Sequence, residues 1–243
     1  MRRIVCLVPS ITELVCELGL AGELVGRTGF CIHPKETLKA IPKVGGTKSV
    51  NLAKVKALRP THVIVNVDEN KKETADALAE FVPNLIVTHP LAPLDNLTLY
   101  RQIGDALGAR EAADALGARF KAEYGRILGQ SFKRRRVLYL IWKDPWMTVS
   151  RDTYVSRMLA LFGLETLPAR SDARYPKLED PHMQAAEMIL LSSEPYRFTA
   201  RHKRELEQRQ QLPVHLIDGE MTSWYGPRAI AGLRYLSGFA ASV

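Results

Sequence analysis

The sequence predicts an α/β protein with two Rossmann-like lobes, mainly parallel sheets and one long α-helix that bridges the lobes. Three observations carry this prediction. Short β-type runs alternate with helical segments along the chain, the order of elements in the first half recurs in the second, and an unbroken helical pattern separates the halves. Alternating strands and helices require right-handed crossovers and therefore largely parallel sheets.

In the first lobe, β-type runs bounded by turn residues predict strands, at residues 4–8, 24–28, 62–66 and 85–88. Helices are predicted between them, at residues 10–18, 51–58, 71–81 and 94–107. Ser10 and Glu13 have the S-x-x-E spacing of a capping box, which predicts that the first helix begins there. Gly19 is expected to end it.

The bridging helix is predicted from apolar residues at every fourth position, at Ala112, Leu116, Phe120, Tyr124 and Leu128. One helix of roughly 20 residues would span about 30 Å. The second lobe follows, with strands predicted at 137–142, 188–191 and 214–217, and helices at 154–162, 203–209 and 227–236. Residues 143–152 are predicted to form a loop. The expected division is 1–108 for the first lobe, 109–131 for the linker helix and 132–243 for the second lobe.

Composition places the chain among ordinary globular proteins. Of 243 residues, 46% are apolar and 25% charged, and no apolar run reaches the length of a membrane span. The net charge of +8 is local, because residues 101–150 hold ten Lys/Arg against five Asp/Glu. Without a nucleic-acid motif or interleaved aromatics, this basic run predicts a solvated boundary and no nucleic-acid partner. We expect a monomer.

The cysteine count and the N-terminus bear on the compartment. Cys6, Cys16 and Cys31 match no disulfide or zinc framework, which favours reduced thiols. The apolar run at residues 4–8 is too short for a secretory signal. As written, the sequence predicts a cytoplasmic protein, and a periplasmic one if the N-terminus is truncated.

The loops that follow the strands are the candidate site. In parallel sheets ligands bind beyond the carboxyl ends of the strands, so two facing lobes predict a ligand cleft between them. All three tryptophans, Trp142, Trp146 and Trp224, lie in such loops of the second lobe. They indicate either a large, flat, partly apolar ligand or aromatic packing of the loops themselves.

Other loop residues leave alternatives open. Cys31 and His33 could contact a metal, or they could serve as hydrogen-bonding loop residues, because one C-x-H pair does not define a zinc site. Four loop carboxylates could form an acid/base pair or act as helix dipole partners: Asp68, Glu69, Glu194 and Glu220. No hydrolase, P-loop or dinucleotide motif is present.

Several segments resemble class III periplasmic solute-binding proteins, the helical-backbone metal receptors. The resemblance covers nearly the whole chain and rests on residues 8–13, 41–46, 58–60 and 190–196. Residues 142–148 and 223–226 resemble the branch that binds cobalamin. The resemblance implies the same two-lobed fold with a rigid linker helix, no catalysis and no intrinsic cofactor. Its members deliver cobalamin, haem or ferric siderophores to ABC importers.

The chain departs from that family in two respects. Family members begin with a signal peptide, and the sequence as written predicts none. Each lobe of the cobalamin carriers also presents a glutamate that pairs with transporter arginines, and these positions align with Ala53 and, near Pro181, with Asp180. An ABC importer is therefore a weaker expectation than a metal-chelate ligand.

The leading hypothesis is a non-catalytic protein that holds a corrinoid, or else haem or a ferric siderophore, between the lobes. The residues expected to stack on or line the ligand are Trp142, Trp146, Tyr175, Glu194, Tyr196, Trp224, Tyr225 and Glu69. Ser10, Thr47 and Asn66 are expected to donate or accept hydrogen bonds, and His33 or Cys31 to contact the metal axially. The alternatives are a chelatase-like or corrinoid-processing enzyme and a ligand-sensing interaction protein.

Overall fold

The computed structural model describes residues 2–178 and 185–243, and the chain divides into two compact units. Unit 1 comprises Met1–Pro90, Leu94–Phe120 and Tyr225–Pro227. Unit 2 comprises Leu91–Pro93, Lys121–Trp224 and Arg228–Val243. Each unit therefore contains a three-residue segment from the other part of the sequence.

Unit 1 is built on a parallel sheet with strand order β2-β1-β3-β4. Its strands are β1 (Ile4–Cys6), β2 (Leu24–Arg27), β3 (His62–Asn66) and β4 (Asn84–Thr88). Its helices are α1 (Pro9–Glu17), α2 (Lys35–Leu38), α3 (Leu52–Ala57), α4 (Lys72–Ala79) and α5 (Asp95–Ala106). Because the strands are parallel, their carboxyl ends lie at one edge, which we call the carboxyl edge.

The core of unit 1 is rich in valine, as a parallel sheet covered on both faces requires. The buried members of one cluster are Val5, Leu7, Val44, Val55, Val63, Val65, Leu78 and Val82. The predicted strands and helices of this unit are confirmed, while the one-turn helix α2 was not predicted. Four residues give too little of a helical period to be read from sequence.

The predicted capping box at the start of α1 is wrong. The helix begins at Pro9, and Val8 precedes it as an N-cap whose side chain makes no cap hydrogen bond. Proline suits the first helical position because its φ is already helical and it has no N–H to satisfy. Ser10 therefore lies inside the first turn and cannot act as the cap. The predicted end is confirmed, since Gly19 follows the helix with a φ of +79°.

The long helix α6 (Arg110–Leu128) is confirmed as one uninterrupted element of 19 residues. Its carboxylate Glu123 is buried and contacts Arg126 at 2.6 Å and Arg234 at 2.8 Å. Burial alone would raise the pKa of Glu123, but hydrogen bonds from the two arginines lower it below its ordinary value. The chain passes from unit 1 to unit 2 within this helix, after Phe120. The assignment of 109–131 as a linker stays a prediction.

Unit 2 has a mixed sheet with strand order β10-β9-β5-β6-β8, and β7 also pairs with β5. Its strands are β5 (Arg135–Trp142), β6 (Trp146–Thr148), β7 (Leu164–Thr166), β8 (Lys177–Leu178), β9 (Met188–Ser192) and β10 (Val214–Ile217). Its helices are α7 (Tyr154–Ala160), α8 (Ala200–Gln210), α9 (Gly219–Ser223) and α10 (Arg228–Ser242).

The parallel core of unit 2, formed by β5, β7, β9 and β10, agrees with the prediction. The predicted loop at 143–152 is wrong in part, because β6 returns antiparallel to β5 and then pairs with β8. Strands of two or three residues and the short helix α9 carry too few residues to show a period. Within the described parts of the chain, no helix is both long and apolar enough to cross a lipid bilayer.

Candidate functional site

The turn after β3 is shaped by the side chain of Asn66. Its Oδ1 accepts hydrogen bonds from the amides of Asp68 at 2.9 Å and Glu69 at 3.3 Å, and its Nδ2 donates to Thr88 Oγ1 at 3.3 Å. The side chain is buried. Asn66 therefore uses its amide to hold the turn, which argues against the expected hydrogen bond to a ligand.

Asn70 joins this turn to the segment that carries Thr47. Its Oδ1 accepts from the amide of Asn66 at 2.8 Å, and its Nδ2 donates to the carbonyl of Thr47 at 3.0 Å. Lys48 Nζ donates to the carbonyl of Asp68 at 2.7 Å. Thr47 is half-buried beside these bonds. Hydrogen bonds from polar side chains thus link the turn after β3 to the loop that carries Thr47.

The two members of the Cys31-x-His33 pair differ in burial and in hydrogen bonding. Cys31 is fully buried, with its Sγ 3.1 Å from both Thr12 Oγ1 and Thr28 Oγ1, whereas His33 is half-buried. Burial raises the pKa of the Cys31 thiol. A buried, hydrogen-bonded thiol argues against the expected axial contact to a metal. Among residues 2–178 and 185–243, no group of three or more His, Cys, Asp or Glu side chains is placed to hold a metal ion.

Ser10 lies at the start of α1, just beyond β1. It is 3% exposed, and its Oγ has no hydrogen-bond partner within the described structure. The carbonyl of Ser10 lies against Gly226, where a Cβ would approach to 3.1 Å. An unpartnered buried hydroxyl is uncommon, because leaving it unpaired costs about 1–3 kcal/mol.

Tyr225 and Gly226 are fastened to unit 1, although they lie near the C-terminal end of the sequence. The Tyr225 hydroxyl donates a hydrogen bond to the Glu69 carboxylate. Gly226 N donates to Asn96 Oδ1 at 2.8 Å, and its carbonyl accepts from the Tyr100 hydroxyl at 2.8 Å. The structure therefore brings together Glu69 and Tyr225, two predicted site residues separated by 156 positions in the chain.

Glu194 has the corresponding place in unit 2, after β9. Its Oε1 accepts hydrogen bonds from Trp224 Nε1 at 2.7 Å and from Ser223 Oγ at 2.9 Å. Burial raises the pKa of Glu194, although these two hydrogen bonds act against the rise. Gly219 is required beside it, because a Cβ there would lie 2.5 Å from Glu194 Cγ.

Trp224 is buried, which favours the packing alternative for this ring. Its side chain is 8% exposed, since Glu194 binds the indole N–H and the guanidinium of Arg228 lies over the ring at 5.1 Å. Arg228 also pairs with Glu220 at 3.2 Å. A buried indole with both its edge and a face covered behaves as a packed residue.

The remaining tryptophans of unit 2 belong to an aromatic cluster. Trp142 packs edge-on against Tyr196 with ring centroids 5.5 Å apart, and Trp146 stacks on Phe198 at 6.0 Å. Trp146 and Tyr196 also contact the hydrophobic core of the unit. Trp142, in contrast, is 39% exposed at the end of β5. The packing alternative therefore fits Trp146 and Tyr196, and the ligand alternative fits Trp142.

Large apolar side chains stand out into solvent near the carboxyl edge of unit 1, and sequence reasoning missed them. Phe30, which is 62% exposed, and Ile32 follow β2, and Val67 follows β3. In unit 2, Tyr175, which the sequence had placed at the site, is 40% exposed between β7 and β8. Apolar residues directly after a predicted strand end were the available signal, but they read as ordinary loop residues.

The four loop carboxylates all have partners. Besides the aromatic donors to Glu69 and Glu194, His89 Nε2 lies 3.6 Å from Asp68 Oδ1 and Arg228 pairs with Glu220. A carboxylate engaged in this way is poorly suited to act as a general acid or base without first being released. Of the two expected transporter-docking positions, Ala53 is exposed on α3, and Asp180 lies outside the described residues.

Comparison with known proteins gives a consistent result. The Vitamin B12-binding protein of Pectobacterium carotovorum is 24% identical over 94% of this chain and 84% of its own length. The periplasmic vitamin B12 binding protein BtuF of Vibrio cholerae superposes with a TM-score of 0.85 at 17% identity, over 99% of this chain and 97% of that one. The periplasmic heme-binding protein RhuT from Roseiflexus sp. RS-1 gives a TM-score of 0.81 at 23% identity, over 99% and 97%.

These likenesses establish the two-lobed fold of the class III binding proteins that the sequence resembles. The family model described as periplasmic binding protein matches residues 4–215 of this chain, and so covers well over half of it. The chain belongs to the periplasmic binding protein family.

Proposed function

We propose that this chain is the substrate-binding protein of an ABC importer and holds a large, flat metal chelate, in the first place a corrinoid. The observation that carries the proposal is the exposure of large apolar side chains in both units. Phe30, Ile32 and Val67 lie near the carboxyl edge of unit 1, and Trp142 and Tyr175 are exposed in unit 2. Soluble proteins expose apolar groups together where they bind apolar ligands.

Aromatic faces suit a planar macrocycle, because stacking and burial of area supply most of the affinity. The names of the similar vitamin B12-binding proteins favour a corrinoid, while that of the similar heme-binding protein keeps haem as the second candidate. That a single ligand contacts the loops of both units stays a prediction. The engaged carboxylates favour binding over catalysis, as does membership of a family of binding proteins.

The same comparisons bear on location and partner. The similar solved proteins are described as periplasmic, which supports an extracytoplasmic location for this chain over the cytoplasmic one that its sequence predicted. An ABC importer would be the receiving partner. Since Ala53 has no charge at the expected docking position, we expect this docking to be weak and Ala53→Glu to strengthen it.

A parallel titration tests the proposal. The purified protein is dialysed against cyanocobalamin, hemin and a ferric hydroxamate siderophore, and bound ligand is measured by visible absorbance. We expect saturable one-site binding of cyanocobalamin with a Kd of about 1 μM or below, and weaker binding of the other two. Saturable binding of hemin or the siderophore alone would make that compound the ligand in place of the corrinoid, and the proposal of a metal-chelate-binding protein would stand. No saturable binding of any of the three would overturn the proposed function.

The role of His33 is tested on the same protein with aquocobalamin, whose cobalt exchanges its bound water for imidazole. If His33 contacts the metal, the visible bands shift on binding to wild type and do not shift with His33→Ala. Cys31→Ser serves as the matched control, because its thiol is buried and is expected to leave the spectrum unchanged. A shift that persists in His33→Ala would exclude the axial role.

A further inference from the structure

Arg27, the last residue of β2, is a buried cation that pairs with no carboxylate in the described part of the chain. The hydrogen bonds that its guanidinium donates in the described part of the chain all go to backbone oxygens. Nε donates to the carbonyl of Leu38 at 3.0 Å, and Nη1 donates to the carbonyls of Cys31 at 2.9 Å and Thr28 at 3.2 Å. Burying a charge without a counter-charge is costly, so the site must be held together by these bonds.

The three carbonyls belong to one segment. Thr28 and Cys31 lie directly after β2, and Leu38 ends α2, so a single side chain fixes both ends of residues 28–38. The planar fork of a guanidinium can reach several oxygens at once, which a lysine ammonium does less well. On the inner side of the same segment, Cys31 Sγ bonds Thr12 and Thr28.

The outer side of this segment is apolar and faces solvent. Phe30 and Ile32 are its exposed members, and His33 follows them. A second loop supports the segment, because Gly29 N donates to the carbonyl of Gly45 at 2.8 Å. The ring of Phe30 lies close to Gly46, where a Cβ would be 3.3 Å from Phe30 Cε2. The exposed side chains thus stand on a backbone that is fixed from within.

We infer that Arg27 and Cys31 are positioning residues that hold segment 28–33 as a preformed apolar contact surface for the macrocycle. The inference rests on the proposed function for the identity of the ligand. A surface that is already ordered loses less conformational entropy on binding, so preorganisation raises affinity without adding a contact. Cys31 then acts through its hydrogen bonds inside the loop, and Phe30 and Ile32 contact the ligand.

Arg27→Lys tests the first part, with Arg136→Lys as the matched control because Arg136 is exposed. Hydrogen–deuterium exchange is measured on the ligand-free proteins, and the Kd for cyanocobalamin by dialysis. We expect exchange in residues 28–33 to rise about tenfold or more in Arg27→Lys, and the Kd to rise about tenfold. Arg136→Lys should change neither quantity.

Cys31 is tested by a conservative pair. Serine can keep the hydrogen bonds to Thr12 and Thr28, whereas alanine cannot. Exchange in residues 28–33 and the Kd are therefore expected to stay near the wild-type values in Cys31→Ser and to rise in Cys31→Ala. Equal behaviour of the two variants would overturn the role given to the hydrogen bonds of Cys31.

Two outcomes overturn the inference as a whole. The first is a lower melting temperature for Arg27→Lys with segment exchange unchanged, which marks a structural role only. The second is an unchanged Kd in Phe30→Ala and Ile32→Ala, whose exposed side chains can be removed without unfolding the protein. If wild type binds no chelate, the proposed function fails, while the exchange comparison on ligand-free protein still decides whether Arg27 orders the segment.

Discussion

The candidate loops of the two units are held in place by different chemistry. In unit 1, buried polar side chains bond to backbone groups, as Asn70 does to the carbonyl of Thr47 and Arg27 to that of Cys31. In unit 2, aromatic rings pack on one another and on the core, as Trp146 does on Phe198. The loops of unit 1 should therefore be destabilised by the loss of a hydrogen bond. The loops of unit 2 should be destabilised by the removal of an aromatic ring.

One feature is shared by both units. Each has a glutamate after a strand, Glu69 after β3 and Glu194 after β9, and each glutamate accepts a hydrogen bond from an aromatic residue. The two donors, Trp224 and Tyr225, are neighbours in the chain, and the division between the units falls between them. Two consecutive residues thus each hydrogen-bond a glutamate, Tyr225 in unit 1 and Trp224 in unit 2.

The largest expected effect is on Trp224. Trp224→Ala removes a buried ring together with its hydrogen bond to Glu194, and should lower the free energy of unfolding by about 3–5 kcal/mol. Chemical denaturation measures this loss. Trp142→Ala is the comparison variant, since its ring packs on Tyr196 but is 39% exposed, and should cost clearly less, about 1–2 kcal/mol. Similar losses of unfolding free energy in the two variants would contradict the assignment of Trp224 as packed and Trp142 as partly exposed.

The next effect tests the polar fastening of unit 1. Asn70→Ala removes the hydrogen bonds that this side chain makes with the amide of Asn66 and the carbonyl of Thr47, and should lower the free energy of unfolding by about 2–3 kcal/mol. Asn84→Ala is the matched control, because its single hydrogen bond to the carbonyl of Thr61 is exposed. A loss for Asn70→Ala no greater than for Asn84→Ala would show that this fastening contributes little.

Glu194 gives a smaller, pH-dependent effect. Because burial raises its pKa, the folded protein holds this proton at pH values where the unfolded chain has released it. Wild type should therefore gain stability relative to Glu194→Gln as the pH falls from neutral through the raised pKa towards the ordinary value for glutamate. Urea denaturation of both proteins across that range measures the difference between their free energies of unfolding. A difference that stays constant, or that shrinks on acidification, contradicts the assigned pKa direction.

The smallest effect is expected at Leu128, the exposed last residue of α6. Leu128→Ala should change the free energy of unfolding by no more than about 0.5 kcal/mol, because the side chain buries little area. Ligand affinity should also be unchanged, since the residue lies outside the candidate loops. A marked change in affinity would mean that exposed apolar side chains in general, and not those of the loops, affect binding.

The sequence predicted the regular elements well because their periods are long enough to read. Helix α6 and the buried strands of both units lie where the patterns indicated. The α1 cap was missed because Pro9 takes the first helical position. Burial at the site could not be predicted, since Trp224 and Cys31 are covered by partners distant in sequence: Glu194 for Trp224, and Thr12 for Cys31.

The central claim is that exposed aromatic residues of these loops bind the chelate, and one comparison tests it most directly. The Kd for cyanocobalamin is measured by dialysis for wild type, Trp142→Ala and Leu128→Ala, after denaturation has shown that all three are folded. The account predicts that Trp142→Ala weakens binding by about 1–3 kcal/mol while Leu128→Ala leaves it unchanged. Equal affinity in all three proteins would contradict the claim.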